Sequence, residues 1–161
     1  MGFQRIMAAL DRSPLATEVY SRALQLAVKH NSELMLAHCF NSRLLAEFSP
    51  MLDTSFGLSG RNRLRQLQQD HLQDVAQIHK DFQGYCYHAF DQGVSTRYIC
   101  EMGDAAVWIC QFARRWRADL VVIGHGGSSD MREVLLGSVS RYVVRYAPCP
   151  TMVVQPETVC R

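Results

Sequence analysis

Three glycines and a serine carry the clearest chemical pattern in the chain: Gly124, two residues, Gly127, nine residues, then Gly137-Ser138. They lie in the stretch from Ala118 to Val154. Leu120, Val121, Val122 and Ile123 open it as an apolar run without alternation, the pattern of a strand buried on both faces. After the glycines, Val139, Tyr142, Val143 and Tyr146 recur at i, i+3, i+4 and i+7, which predicts a helix with one apolar stripe. It should stop at Ala147-Pro148, because the residue before proline avoids the helical region. Thr151 to Val154 is a further short strand, so the unit reads β-loop-α-β.

Such a loop can hold an anion. The first amides of a helix lack intrahelical partners and sit at the positive end of its dipole. Glycines let that backbone approach a phosphate closely, and Ser138 is expected at the N-cap position with a hydroxyl. The same residues also read as turn punctuation and a simple cap, and the pattern alone leaves both readings open. Two familiar phosphate loops are excluded. No G-x-x-x-x-G-K-[ST] occurs, the lysines being Lys29 and Lys80 only. Gly124-x-Gly126-x-x-Ser129 misses the dinucleotide fingerprint, since the helix starts too late and no acid follows about 20 residues on.

The spacing G-x2-G-x9-G-[ST] resembles the nucleotide motif of the universal stress protein family, in its ATP-binding branch. The likeness extends to IMAALDRS near the start, MGDAAVWI, RADLVVIG and LLGSVSRYVVRYAPCPTMVV, with little to match between about residues 41 and 92. It implies adenine and ribose between Ala9, Asp11 and Cys39, where Cys39 offers main chain and no thiol chemistry. It also implies phosphates over Gly124, Gly127, Gly137, Ser138 and Val139, with Ile123 a further nucleotide-binding residue. The implied ligand is ATP, with Mg²⁺ as its companion and ADP or AMP as alternatives, and the implied assembly is a homodimer paired through the last strand.

The elements that must position these residues alternate along the chain. Ile6 to Leu10 is expected as the first strand, with Asp11 at its carboxyl end. A carboxylate there faces the crevice of an α/β sheet and could serve a ribose or base; it could equally be a solvated turn acid. Ser13 is expected to cap the next helix with Pro14 at its first position, and Ala16, Val19, Tyr20, Ala23 and Ala27 give that helix a buried face. Leu34 to Phe40 reads as the second strand. Its His38 is more simply a packed residue with one satisfied ring nitrogen than a base. Residues 41 to 60 read as a loop over the crevice, followed by a long amphipathic helix from Arg61 through Gly84 to about Asp91. Val94 to Cys100 is the third strand, and Asp104 the N-cap of a helix with Ile109, Phe112, Ala113 and Trp116 inward.

The whole predicts an α/β fold, one doubly wound five-stranded parallel sheet with helices on both faces, in a single domain over residues 1–161. The resemblance supplies the strand order 3-2-1-4-5. With 48% apolar residues, 20% charged residues and a net charge of +2, the composition is that of an ordinary globular domain and argues against a nucleic-acid partner. No apolar stretch approaches a membrane span, and no signal peptide is read at the start. Six cysteines without C-x-x-C or metal-ligand spacing suit small core residues in a reducing cytoplasm, with no metal site.

Two rival functions are distinguishable by motif. An ATP-consuming enzyme of related architecture would show SGGxDS after the first strand or an HxGH pair; here Asp11-Arg12-Ser13-Pro14 and a single His125 stand instead. His125 beside Ser128, Ser129 and Asp130 matches a triad in composition only, so no catalytic residue is assigned and at most slow ATP hydrolysis is expected. A nucleotide-free scaffold would lack the glycines. The reading is therefore a nucleotide-binding stress-response regulatory module.

Overall fold

The computed structural model describes residues 2–41, 57–126 and 136–156. Nine elements alternate: β1 (Arg5–Ala9), α1 (Ala16–His30), β2 (Glu33–Asn41), α2 (Gly57–Asp91), β3 (Thr96–Gly103), α3 (Ala105–Trp116), β4 (Leu120–Gly124), α4 (Ser138–Tyr146) and β5 (Thr151–Val154). All paired strands run parallel in the order β3-β2-β1-β4-β5. This is the doubly wound sheet expected from the sequence.

The period of two in the strands divides the core into two layers. Ile6, Ala8, Leu34, Leu36, Leu120 and Val122 face one way, onto Val19, Tyr20, Ala23 and Ala27 of α1 and Ile78, Phe82 and Ala89 of α2. Met7, Ala9, Ala37, Val121 and Ile123 face the other way, onto Ile109, Cys110 and Ala113 of α3 and Val143 of α4. Both faces of β1 and β4 are therefore buried, which is why their sequences run apolar without polar alternation.

Helix ends follow local chemistry. Asp104 accepts from the Val107 amide at 3.2 Å and caps α3. Asn31 and Arg117 adopt the left-handed conformation after α1 and α3, and Gly93 does so after α2. In each case the next amide reaches back to a carbonyl of the last turn: Ser32 to Ala27, Val94 to Ala89 and Ala118 to Ala113, each at 2.9 Å. The Arg5 guanidinium adds a bond to the Trp116 carbonyl at 3.1 Å, a cation at the negative end of α3.

Several boundaries differ from expectation. α2 starts at Gly57, one turn before Arg61, and runs through Gly84 unbroken, since a helical glycine costs stability without forbidding the helix. β3 starts at Thr96 and extends to Gly103, because Val94 is consumed by the end of α2 while β2 offers partners as far as Asn41. Ser13 does not cap α1: the residue before that helix is Leu15, which makes no side-chain cap bond. The Ser13 hydroxyl and amide are engaged with Asp11 instead. The loop expected over the crevice lies for the most part, residues 42–56, outside the described residues.

Candidate functional site

The sheet reverses its winding between β1 and β4, and a crevice opens at their carboxyl ends. Its floor is a row of laterally paired residues, Ala37 of β2, Ala9 of β1 and Ile123 of β4. Two alanines side by side leave room that a branched residue would fill. Ala105 and Ile109 of α3 form one wall, while Gly137, Ser138, Val139 and Ser140 at the start of α4 form the other. The resulting cleft holds about 340 Å³, within the size range of small-molecule sites.

At the α4 end, the backbone is drawn tightly onto the end of β4. The His125 amide donates to the Val154 carbonyl at 2.7 Å, and the Gly137 amide donates to the His125 carbonyl at 3.0 Å. The buried Ser140 hydroxyl, 2% exposed, donates to the Gly124 carbonyl at 2.7 Å. Within α4, the Arg141 amide is bonded to the Gly137 carbonyl at 2.9 Å. The amides of Ser138, Val139 and Ser140 precede it and so have no acceptor in their own helix. These three, at the positive end of the helix dipole, form an anion-receptive edge.

The glycines are explained separately. Gly126 has φ 59°, the left-handed region that side chains resist. Gly137 has ordinary dihedrals, but a β-carbon there would lie 2.7 Å from the Gly126 carbonyl oxygen. At Gly124 a β-carbon would meet Leu15 and Val19 of α1 at 3.2 and 3.4 Å, on the layer away from the cleft. Glycine at 137 thus permits contact between two backbone segments, where sequence reasoning placed a phosphate. Gly137 also takes the N-cap position expected for Ser138, which becomes the first helical residue.

At the opposite end stands Asp11, just past β1. Its Oδ1 accepts from the Ser13 amide at 3.0 Å and the Ser13 hydroxyl at 2.5 Å, which orients the carboxylate. The chain before it is pinned twice: the Leu10 amide donates to the Ala37 carbonyl at 2.9 Å, and the Leu10 carbonyl accepts from His38 Nδ1 at 2.8 Å. A carbonyl can only accept, so the His38 proton sits on Nδ1. His38 is 6% exposed and meets Phe40 and Phe82 edge to face. Burial lowers its pKa, opposed by the bond to Leu10, so it is a neutral packed histidine as its sequence context suggested. Burial raises the Cys39 pKa, and Asp104 and Glu101 push it the same way, which keeps a protonated thiol on the cleft wall.

A family model of the universal stress proteins matches residues 2–155. The chain belongs to the universal stress protein family. It is 33% identical over 159 residues to the universal stress protein Sll1388 of Synechocystis sp., with 96% of this chain and 99% of that one covered. Among solved structures, it is similar to a universal stress protein in complex with cAMP, at TM-score 0.66 and 20% identity, covering 96% of this chain and 98% of that one. It is also similar to the Arabidopsis thaliana family protein At3g01520 with AMP bound, at TM-score 0.60 and 20% identity, covering 96% and 93%. At those identities the two structures establish the shared fold.

In this family member, Ala9, Asp11, Cys39, Ile123, Gly124, Gly137, Ser138 and Val139 all line the one cleft. Gly127 lies outside the described residues, as do Ser128, Ser129 and Asp130 beside His125. Leu10, Ala37, Ala105, Ile109, Gly126 and Ser140 also line the cleft and were not singled out from sequence. Register with Ala9 could have found Ala37, and Ser140 is two residues past Ser138; the α3 residues carried no signal. Among the described residues, no group of three or more His, Cys, Asp or Glu could hold a metal ion, and no helix is long and apolar enough to cross a membrane.

Proposed function

We propose that the cleft binds an adenine nucleotide, with ATP as its principal ligand, and that the protein acts as a nucleotide-responsive regulatory module. One observation carries the reading: an apolar slot floored by Ala37, Ala9 and Ile123 has the free amides of α4 at one end and an oriented carboxylate, Asp11, at the other. A flat base suits the slot, hydroxyls of a ribose suit Asp11, and phosphate oxygens suit the amides. The complexes of family relatives with cAMP and AMP support the adenine nucleotide class. Any Mg²⁺ would arrive with the nucleotide phosphates, since the described residues form no cage for it.

The module reading extends to assembly and turnover. β5 is an edge strand, and its Met152 is exposed, so a second copy pairing along β5 would cover an open edge. No residue of the cleft is assigned a catalytic role, so at most slow hydrolysis is expected.

Denaturing the purified protein and identifying the released small molecule by mass spectrometry, with calorimetric titration of ATP, AMP and adenosine, tests the reading directly. Saturable binding of ATP is expected. A folded protein that binds none of the three overturns it, and turnover near ~1 s⁻¹ or faster would move the protein into the ordinary enzyme range. Light scattering should return a dimeric mass at micromolar concentrations; a monomer removes the β5 pairing.

A further inference from the structure

The two strands at the crevice, β1 and β4, end alike. The last carbonyl before each functional segment accepts a hydrogen bond from a buried side chain of a neighbouring element. At the end of β1 the donor is His38, on β2, reaching the Leu10 carbonyl at 2.8 Å. At the end of β4 the donor is Ser140, on α4, reaching the Gly124 carbonyl at 2.7 Å. Both donors are among the three buried polar or charged residues of the described chain, at 6% and 2% exposure.

Both acceptor carbonyls receive these bonds from side chains and not from the backbone of a neighbouring strand. Both lie immediately ahead of a segment that faces the cleft: Asp11 comes directly after Leu10, and the His125-Gly126 turn that receives α4 comes directly after Gly124. We propose that His38 and Ser140 are positioning residues for the two halves of the ligand, His38 for the nucleoside end through Leu10-Asp11, and Ser140 for the phosphate end through Gly124 and the first turn of α4. This rests on the nucleotide reading of the cleft and adds a division of labour within it.

The geometry supports that division. His38 packs against Phe40 and Phe82 in the layer of α1 and α2, so its ring acts on Asp11 from behind the sheet. Ser140 stands where a β-carbon on Gly126 would lie 3.0 Å from its hydroxyl oxygen, so it packs directly on the left-handed turn. Removing the Ser140 hydroxyl frees the α4 amides to drift from the Gly124 turn, which affects an anion they receive and leaves the adenosine end in place. Removing the His38 donor loosens the Asp11 segment, which every adenosine ligand uses.

The test is calorimetric titration of ATP and adenosine into the wild type and three variants, Ser140→Ala, His38→Leu and His38→Asn, each checked for folding by circular dichroism. Asn can present its amide N–H near the position of Nδ1 and so serves as the conservative replacement. Ser140→Ala is expected to weaken ATP about fivefold while adenosine changes by less than about twofold. His38→Leu is expected to weaken both ligands by a similar factor, with His38→Asn recovering most of the loss. A purely structural role would lower stability and leave the ATP-to-adenosine ratio of Ser140→Ala at the wild-type value, and that result overturns the inference. So does His38→Leu binding both ligands normally, or His38→Asn binding no better than the leucine variant. Wild type that binds neither ligand overturns the nucleotide reading itself and this inference with it.

Discussion

Gly137→Ala and Gly84→Ala make the same chemical change and should move stability in opposite directions. At Gly84, midway along the last part of α2, an added β-carbon has no neighbour within 4 Å, so the methyl group only restricts the unfolded chain. That should stabilise by about 0.5–1 kcal/mol. At Gly137 the dihedrals, φ −57° and ψ 161°, are open to alanine, so the same entropic gain of about 0.4–1 kcal/mol is on offer. It is outweighed because the β-carbon would sit 2.7 Å, 2.8 Å and 3.0 Å from the carbonyl oxygen, carbonyl carbon and Cα of Gly126. These are backbone atoms, held by the Gly137-to-His125 and His125-to-Val154 bonds, and they cannot swing aside like a side-chain tip. Overpacking of this kind typically costs about 1–3 kcal/mol, which at the midpoints of the two ranges leaves a net loss of about 1.3 kcal/mol. For a chain of this length the two variants should melt about 3–5 °C below and about 1–4 °C above wild type. Urea denaturation followed by circular dichroism reads both. A Gly137→Ala protein at or above wild-type stability would refute the argument that backbone contact with Gly126 is what demands glycine there.

Three further outcomes rest on named contacts. Asp11→Asn keeps an acceptor for Ser13 and removes only the charge, so ATP and adenosine should both weaken by about fivefold in calorimetry, the difference between a charge-assisted and a neutral hydrogen bond. Asp104→Ala removes the cap on the Val107 amide and should cost about 1 kcal/mol in urea denaturation; no loss would show that the cap is idle. The Tyr20 hydroxyl lies between the Tyr85 carbonyl and His88, and its pKa is pushed up to about 12 from 10.0, first by burial and then by Cys86 and Tyr85. Its folded pKa is raised, so its contribution is complete below pH 10.0 and is lost as pH climbs toward about 12, because the unfolded chain ionises first. Phenolate absorbance of wild type against Tyr20→Phe should show one hydroxyl that stays protonated past pH 10; ordinary titration there would contradict its burial.

The fold was legible because its signals are redundant. Leu120 to Ile123 and Ile6 to Ala9 are apolar at every position, which only a strand covered on both faces sustains, and helical stripes separate them. One misplaced boundary was decided by a long-range partner. β3 continues past Cys100 because Cys39, Phe40 and Asn41 are there to pair with Glu101, Met102 and Gly103, a fact about another strand that no local window contains. Ser13 has every property of a cap, yet Asp11 sits two residues away and offers its amide and hydroxyl a carboxylate, a stronger acceptor than an uncharged oxygen.

The candidate site shows the same limit more sharply, because one residue type serves three different needs in it. Gly124 gives way to Leu15 and Val19 on the α1 layer, Gly126 supplies a left-handed turn, and Gly137 admits a neighbouring backbone. In sequence these are three equal letters; Gly124 and Gly137 belong to the G-x2-G-x9-G spacing and Gly126 does not, and the spacing does not say what each glycine is for. The distinction matters for experiment. A large residue at 137 would damage the turn itself, so weaker ATP binding in that variant would not separate a lost phosphate contact from a displaced helix. A substitution that leaves the backbone framework standing tests binding more directly, and Asp11→Asn, which keeps an acceptor for Ser13, is of that kind.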